Sequence, residues 1–246
     1  MTLTTISKEE FTSFANTVSH HSFIQSAEMA DLLEKRGNTV QFIAWKQEDQ
    51  VQVAAILYSL PMTGGLHMEI NSGPLYQKEA MLEPFYAALK DYAKENGAIE
   101  LVIKPYDTYQ TFDSDGNPTS EEQTHFMDIL KKLGYQHDGL TTGYPGGEGD
   151  WHYVKDMEGI TEKNLLKSFS KKGKPLVKKA KSFGIKLKRL NRDELQLFKD
   201  ITSSTSDRRD YQDKTLDYYQ TFYDSFGDNA DFMIATLNFH HYYTNL

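Results

Sequence analysis

The run TVQFIAWKQEDQVQVAAILYSL, residues Thr39–Leu60, decides the fold class. Its flanks, Thr39–Trp45 and Val51–Leu60, are rich in β-branched and aromatic residues, and the polar segment Lys46–Gln50 separates them, which is the pattern of a β-hairpin. Helical patterns surround it. Upstream, Ser7 and Glu10 have capping-box spacing, and Phe11, Phe14, Ala15 and Val18 follow at helical intervals. A second helix is predicted from Ser26 to Arg36, stopping at Gly37, where a left-handed cap is cheap. Downstream, Met68–Ile70 reads as a short strand followed by Gly73-Pro74, Met81–Glu95 as a helix closed by Asn96-Gly97, and Ile99–Ile103 as a strand. Glu121–Leu133 reads as a helix stopped by Gly134, and Tyr135 opens a further extended segment. The expected class is α/β, of the α+β kind.

The Gly-rich stretch Gly143–Gly149 reads as a linker between two units, residues 1–145 and 150–246. Past it, Trp151–Lys155 reads as a strand and Thr161–Ser170 as a helix with Thr161 as its cap. Pro175 suits the first turn of the next helix, which ends at Gly184. Ile185–Leu190 alternates apolar and basic residues, which predicts one buried and one positive face. Asn191 and Glu194 have cap spacing for a helix to about Ile201, Thr202–Lys214 reads as a polar loop, Leu216–Phe226 as an aromatic helix ending at Gly227, and Asp231–Leu237 as a strand.

The chain has no cysteine, which excludes disulfides and thiolate metal sites and fits a cytoplasmic protein. No apolar run approaches the roughly 18 residues of a membrane helix, and Met1–Glu10 lacks the apolar core of a signal peptide. The net charge of −8 is unevenly spread. Between Lys163 and Arg192 stand twelve Lys or Arg and no Asp or Glu. A basic block inside an acidic chain suits a local anionic partner, and equally a solvated Lys-rich helical surface.

Several familiar sites are poor matches. Asp113, Asp115 and Asn117 alternate as in a calcium loop, but Pro118 stands where that loop needs Gly, so a turn explains them better. His20-His21 and His240-His241 are adjacent pairs whose side chains point apart, which suits surface residues. No Gly-x-Ser-x-Gly, phosphate-loop or Gly-x-Gly-x-x-Gly pattern is present. The nearest approach to a coenzyme A pyrophosphate loop, Gln136-His137-Asp138-Gly139-Leu140-Thr141, fails at its last position and follows a helix rather than opening one. The stretch Asp207-Arg208-Arg209-Asp210-Tyr211-Gln212-Asp213-Lys214, ahead of Tyr218, Tyr219 and Tyr223, could hold a phosphorylated ligand through its cations. The other reading has Tyr219 and Phe222 facing the core and the loop merely solvated.

Taken in order, Phe23-Ile24-Gln25-Ser26, Gly73-Pro74, Leu101-Val102-Ile103-Lys104-Pro105, Leu166-Lys167-Ser168-Phe169-Ser170-Lys171-Lys172, Val177-Lys178-Lys179-Ala180, Arg208 through Tyr219, and Phe226-Gly227-Asp228 resemble the Fem family of peptidoglycan bridge aminoacyltransferases. The flavour is that of its streptococcal branching enzymes. The resemblance implies two acetyltransferase-like units of the GNAT type. It also implies a second unit that stops short, about where the family inserts a coiled-coil arm and before a downstream Lys used near the reaction centre. It implies transfer of alanine or serine from aminoacyl-tRNA to the stem-peptide lysine or a bridge residue of lipid II, or of a UDP-muramyl peptide, with no cofactor. The family's precursor-phosphate contacts fall on Lys214 and Tyr218, with Arg208 nearby. Its early-helix Lys falls on Leu33, and Lys35 is the nearest cation. The basic block would suit tRNA phosphates, with Lys171, Lys172, Lys174, Lys178 and Lys179 as the expected contacts, or else the inner membrane face. Two other readings stay open: a non-catalytic module that holds precursor or a partner, and a coenzyme A-dependent N-acetyltransferase.

Overall fold

The computed structural model describes residues 2–140 and 151–237. The chain divides into two compact units, Met1–Asp138 and Gly139–Leu246. The expected linker Gly143–Gly149 and the pair His240-His241 lie outside the described residues.

In the first unit, strands β1 (Thr2–Thr5), β2 (Thr39–Gln47), β3 (Gln50–Met62), β4 (Gly65–Asn71) and β6 (Ala98–Lys104) lie in the order β1-β2-β3-β4-β6, and β5 (Leu75–Tyr76) pairs with β3. The expected hairpin is β2–β3. Its turn sets Glu48 and Asp49 at φ of 50° and 63°, the left-handed pair that matches strand twist in a two-residue turn. β4 and β6 are parallel, so the chain must cross over between them, and helix α3 (Leu82–Glu95) makes that crossing.

Period-two alternation places the core on both faces of this sheet. Ile43, Trp45, Val53, Ala55 and Leu57 face Phe85, Tyr86 and Leu89 of α3 and Ile129 of α4 (His125–Lys132). Ala44, Ala54 and Ile56 face the other way, toward Phe11 and Phe14 of α1 (Lys8–Ala15) and Ala30 and Leu33 of α2 (Ala27–Lys35). The Ser7 hydroxyl accepts from the Glu10 amide (3.1 Å) and starts α1.

Two quoted motifs meet in a seam of this sheet. The chain leaves β4 at Asn71 and rejoins β3 only at Leu75, so the Ile56 amide has no strand partner there. The buried Gln25 side chain fills the gap. Its Oε1 accepts from the Ile56 amide (2.8 Å) and its Nε2 donates to the Asn71 carbonyl (2.6 Å). A Cβ at Gly73 would stand 2.8 Å from Gln25 Cδ, so the glycine is required by close approach.

Two short strands, β1 and β5, add to what the sequence predicts, and two expectations for this unit are corrected. α4 begins at His125, not Glu121, because Thr119 and Gln123 donate backbone bonds to Thr111 and Tyr109 and hold that segment extended. Tyr135 opens no strand; its hydroxyl donates to the Tyr86 carbonyl (3.0 Å).

The second unit holds α5 (Glu162–Ser168), α6 (Gly173–Ser182), β7 (Lys186–Arg189), α7 (Leu195–Arg209), α8 (Leu216–Phe226) and β8 (Met233–Thr236). Its centre is aromatic. Phe198 and Tyr219 stand edge-on to each other at 5.1 Å, Phe198 and Phe232 likewise at 5.1 Å, and Phe222 stacks on Phe226 at 4.4 Å. Arg192 grips both oxygens of Asp224 (2.7 and 2.9 Å).

Here too the structure departs from expectation. Trp151–Lys155 is irregular and exposed, with no strand. Both faces of β7 are open, and Leu187 is 68% exposed, so the alternation there has no buried side among the described residues. α7 continues through Thr202–Arg209, where a loop was expected. Its hydroxyls explain this: Thr205 and Ser206 donate to the Ile201 and Ser203 carbonyls (3.0 and 2.8 Å), folding back along the helix instead of breaking it.

Candidate functional site

The site builds from the connection between α7 and α8. Asp210 takes a left-handed conformation (φ 54°, ψ 54°) that ends α7. Thr215 caps α8, its hydroxyl accepting from the Tyr218 amide (3.1 Å). That cap sets Lys214 just ahead of the helix and Tyr218 one turn inside it. The Lys214 ammonium consequently lies over the Tyr218 ring, 5.5 Å from its centre. A cation on an aromatic face, at a helix end whose amides point outward, is suited to a phosphate.

Beneath the pair sits a carboxylate. Asp213 Oδ2 accepts from Lys199 Nζ (2.6 Å), Thr202 Oγ1 (2.9 Å) and Ser203 Oγ (3.3 Å), and Oδ1 accepts from Tyr219 OH (2.7 Å) and the Lys214 amide (2.8 Å). Its side chain is only 8% exposed. Burial alone would push this carboxyl up, but the bonds from Lys199, Tyr219 and Thr202 win and hold it well below the usual carboxylate range. The same contact, added to burial, raises the Tyr219 phenol.

Arg208 is exposed in the last turn of α7, where a cation suits the carbonyl end of the helix. Arg208 and Lys214 thus flank one short connection. The five expected tRNA contacts lie elsewhere in the unit: Lys174, Lys178 and Lys179 are on α6, and Lys171 and Lys172 lead into it. Among the described residues no hydrogen bond or ion pair engages the side chains of Lys171, Lys172, Lys174 and Lys178, while the Lys179 ammonium lies 5.5 Å from the Phe183 ring. Lys35 belongs to the first unit and is exposed in the last turn of α2, whereas Leu33 is buried in that unit's core.

The structure therefore brings Lys214 and Tyr218 together and seats the five lysines on and just ahead of a different helix. Tyr219 and Phe222 pack on Phe232, as the core reading expects, while Tyr218 carries the lysine. Sequence reasoning missed the Asp213–Lys199 anchor. The available signal was Lys199, Thr202 and Ser203 at helical spacing, three donors on one face. The segment Gln136–Leu140 follows α4 as irregular chain, and Thr141 lies outside the described residues.

The FemAB family model matches residues 6–246. The chain belongs to the FemAB family. Aminoacyltransferase FemB of Staphylococcus epidermidis is 30% identical over 251 residues, an alignment that takes in 100% of this chain and 60% of FemB. Aminoacyltransferase FemA of Staphylococcus epidermidis is 26% identical over 252 residues, again with 100% and 60% covered. The chain thus spans about 60% of the length of these FemAB relatives. The crystal structure of FemX matches with a TM-score of 0.72 at 20% identity, covering 96% of this chain and 58% of that one. This likeness shows the fold alone, an α+β architecture shared with FemX. Among the described residues of this FemAB chain, no helix is long and apolar enough to cross a membrane.

Proposed function

We propose that the chain serves amino-acid transfer, alanine or serine, from aminoacyl-tRNA to the stem-peptide lysine or a bridge residue of lipid II. The observation that carries this reading is the exposed Lys214 ammonium seated on the Tyr218 ring at the start of α8 in a FemAB chain, an arrangement suited to an anion. Lys214, Tyr218 and Arg208 hold the precursor's phosphates. Lys35, exposed on α2 of the first unit, is a separate candidate for precursor binding. The reaction is aminolysis of an ester: the acceptor amine attacks the aminoacyl carbonyl, and the ribose hydroxyl leaves with a proton. A lysine amine has a pKa near 10.4, so only about one in 10³ is neutral at pH 7, and acceleration comes from desolvation, positioning and oxyanion stabilisation.

Lys171, Lys172, Lys174, Lys178 and Lys179 meet the tRNA phosphates, working in the cytoplasm. Leu176 and Phe183, exposed beside these lysines, favour an additional peripheral contact with the anionic inner membrane face.

The decisive assay incubates the chain with lipid II and alanyl- or seryl-tRNA and follows the mass of the acceptor. A gain of one amino-acid residue supports transfer. Precursor binding without a mass gain favours the non-catalytic module, and saturable acetyl-CoA binding favours the acetyltransferase. Filter binding tests the lysines. Changing all five to Glu should abolish tRNA affinity, and changing them to Gln should flatten its salt slope by up to about 4. Unchanged affinity and slope would refute the tRNA assignment, and unchanged binding to anionic vesicles would refute the membrane contact.

A further inference from the structure

A carboxylate one residue from a phosphate-binding lysine should oppose the ligand, yet Asp213 adjoins Lys214. The geometry resolves this. Both Asp213 oxygens point away from free solvent and are filled by donors from three places: α7 through Lys199, Thr202 and Ser203, the connection through the Lys214 amide, and α8 through Tyr219. Lys199 supplies the compensating charge at 2.6 Å. Tyr219, held by the carboxylate, stands edge-on to Tyr218 at 5.7 Å. One buried side chain therefore fixes the backbone of Lys214 and the neighbour of Tyr218 at once.

We propose that Asp213 is the positioning residue of the Lys214–Tyr218 anion site, and that Lys199 is the cation that keeps its charge from working against the ligand. This rests on reading Lys214 and Tyr218 as precursor-phosphate contacts. Asp213 acts through them and does not touch the phosphates. Lys199, Thr202 and Ser203 share one face of α7, so the anchor is rigid on that side, and the chain from Asp210 to Thr215 is set by it.

The test is calorimetric binding of UDP-N-acetylmuramoyl pentapeptide to the full chain and its variants, with circular dichroism to confirm folding. Lys214→Ala should weaken binding at least about tenfold, the loss of one charge-assisted contact. Asp213→Asn and Lys199→Met should each weaken it about tenfold, although neither removes a ligand contact. Lys199→Arg should restore affinity to within about threefold of the parent, and the double variant Asp213→Asn with Lys199→Met should be no worse than either single change. If Lys214→Ala weakens binding and the Asp213 and Lys199 variants do not, the positioning role is overturned and the phosphate reading stands. If Lys214→Ala has no effect, the phosphate reading fails and this proposal falls with it. Should Asp213→Asn fail to fold, Tyr219→Phe, which removes a single bond, decides. An affinity loss of threefold or more supports the role, and parent affinity overturns it.

Discussion

Replacing Gln25 with alanine should destabilise the first unit far more than a change in a three-residue turn would suggest. The Ile56 amide is buried and has only Gln25 Oε1 as its partner in that seam, so its loss leaves an orphaned donor worth about 1–3 kcal/mol. The Asn71 carbonyl lies in a half-buried residue and rehydrates in part, adding about 0.5–1.5 kcal/mol. The total is about 2–4 kcal/mol, or roughly 6–15 °C in Tm for a unit of this size. Thermal melting with amide hydrogen exchange provides the assay, and the Ile56 amide should lose protection ahead of the rest of β3. Gly73→Ala should cost about 1–3 kcal/mol alone, since its new methyl meets the Gln25 side chain, but far less when Gln25 is already alanine. A fall in Tm under about 3 °C for Gln25→Ala, or strict additivity of the pair, would refute the argument that this amide bridges the seam.

Other consequences are as direct. Burial lowers the pKa of His67, but bonds to Glu100 (2.5 Å) and Glu69 (3.2 Å) outweigh it and leave the imidazole raised. The stability it adds is therefore complete below about pH 6.5, its unfolded value, and is lost as pH rises through the folded one; urea midpoints of parent and His67→Gln should converge on going from pH 6 to 9. The buried Tyr86 hydroxyl meets no hydrogen-bond partner among the described residues, so Tyr86→Phe should leave Tm unchanged or raise it, with at most about 1 kcal/mol gained. Thr215→Ala removes the cap of α8 and should cost the second unit about 1 kcal/mol, measured by urea unfolding monitored through its aromatic residues.

What the sequence made legible was local. Ser7 with Glu10, the stop at Gly37, and the helix from Leu216 to Phe226 each carry their own start and end signals, and each element formed where those signals stand. The failures involve bonds that the residue pattern does not display. A run such as Thr202–Ser206 reads as loop because its hydroxyls compete with the backbone, and only the structure shows them turned back along the helix or spent on Asp213. β1 is short and polar, and it exists because β2 offers a free edge. The Lys214–Tyr218 pair was reachable through family resemblance. The carboxylate beneath it is not legible, since the residue pattern ends the helix near Ile201 while α7 runs on to Arg209 and brings Lys199 against Asp213.

The ribbon of β7 and β8, open among the described residues, has a colloidal consequence. Lys186 stands on a strand whose leucine is bare, while Lys188 and Arg189 are offset by Glu194 and Asp231, so it falls mainly to Lys186 to keep two such ribbons from pairing edge to edge. That protection depends on ionic strength. Concentrated salt, or a polyanion that masks this side chain, would turn the same strand from a gatekeeper into an adhesive.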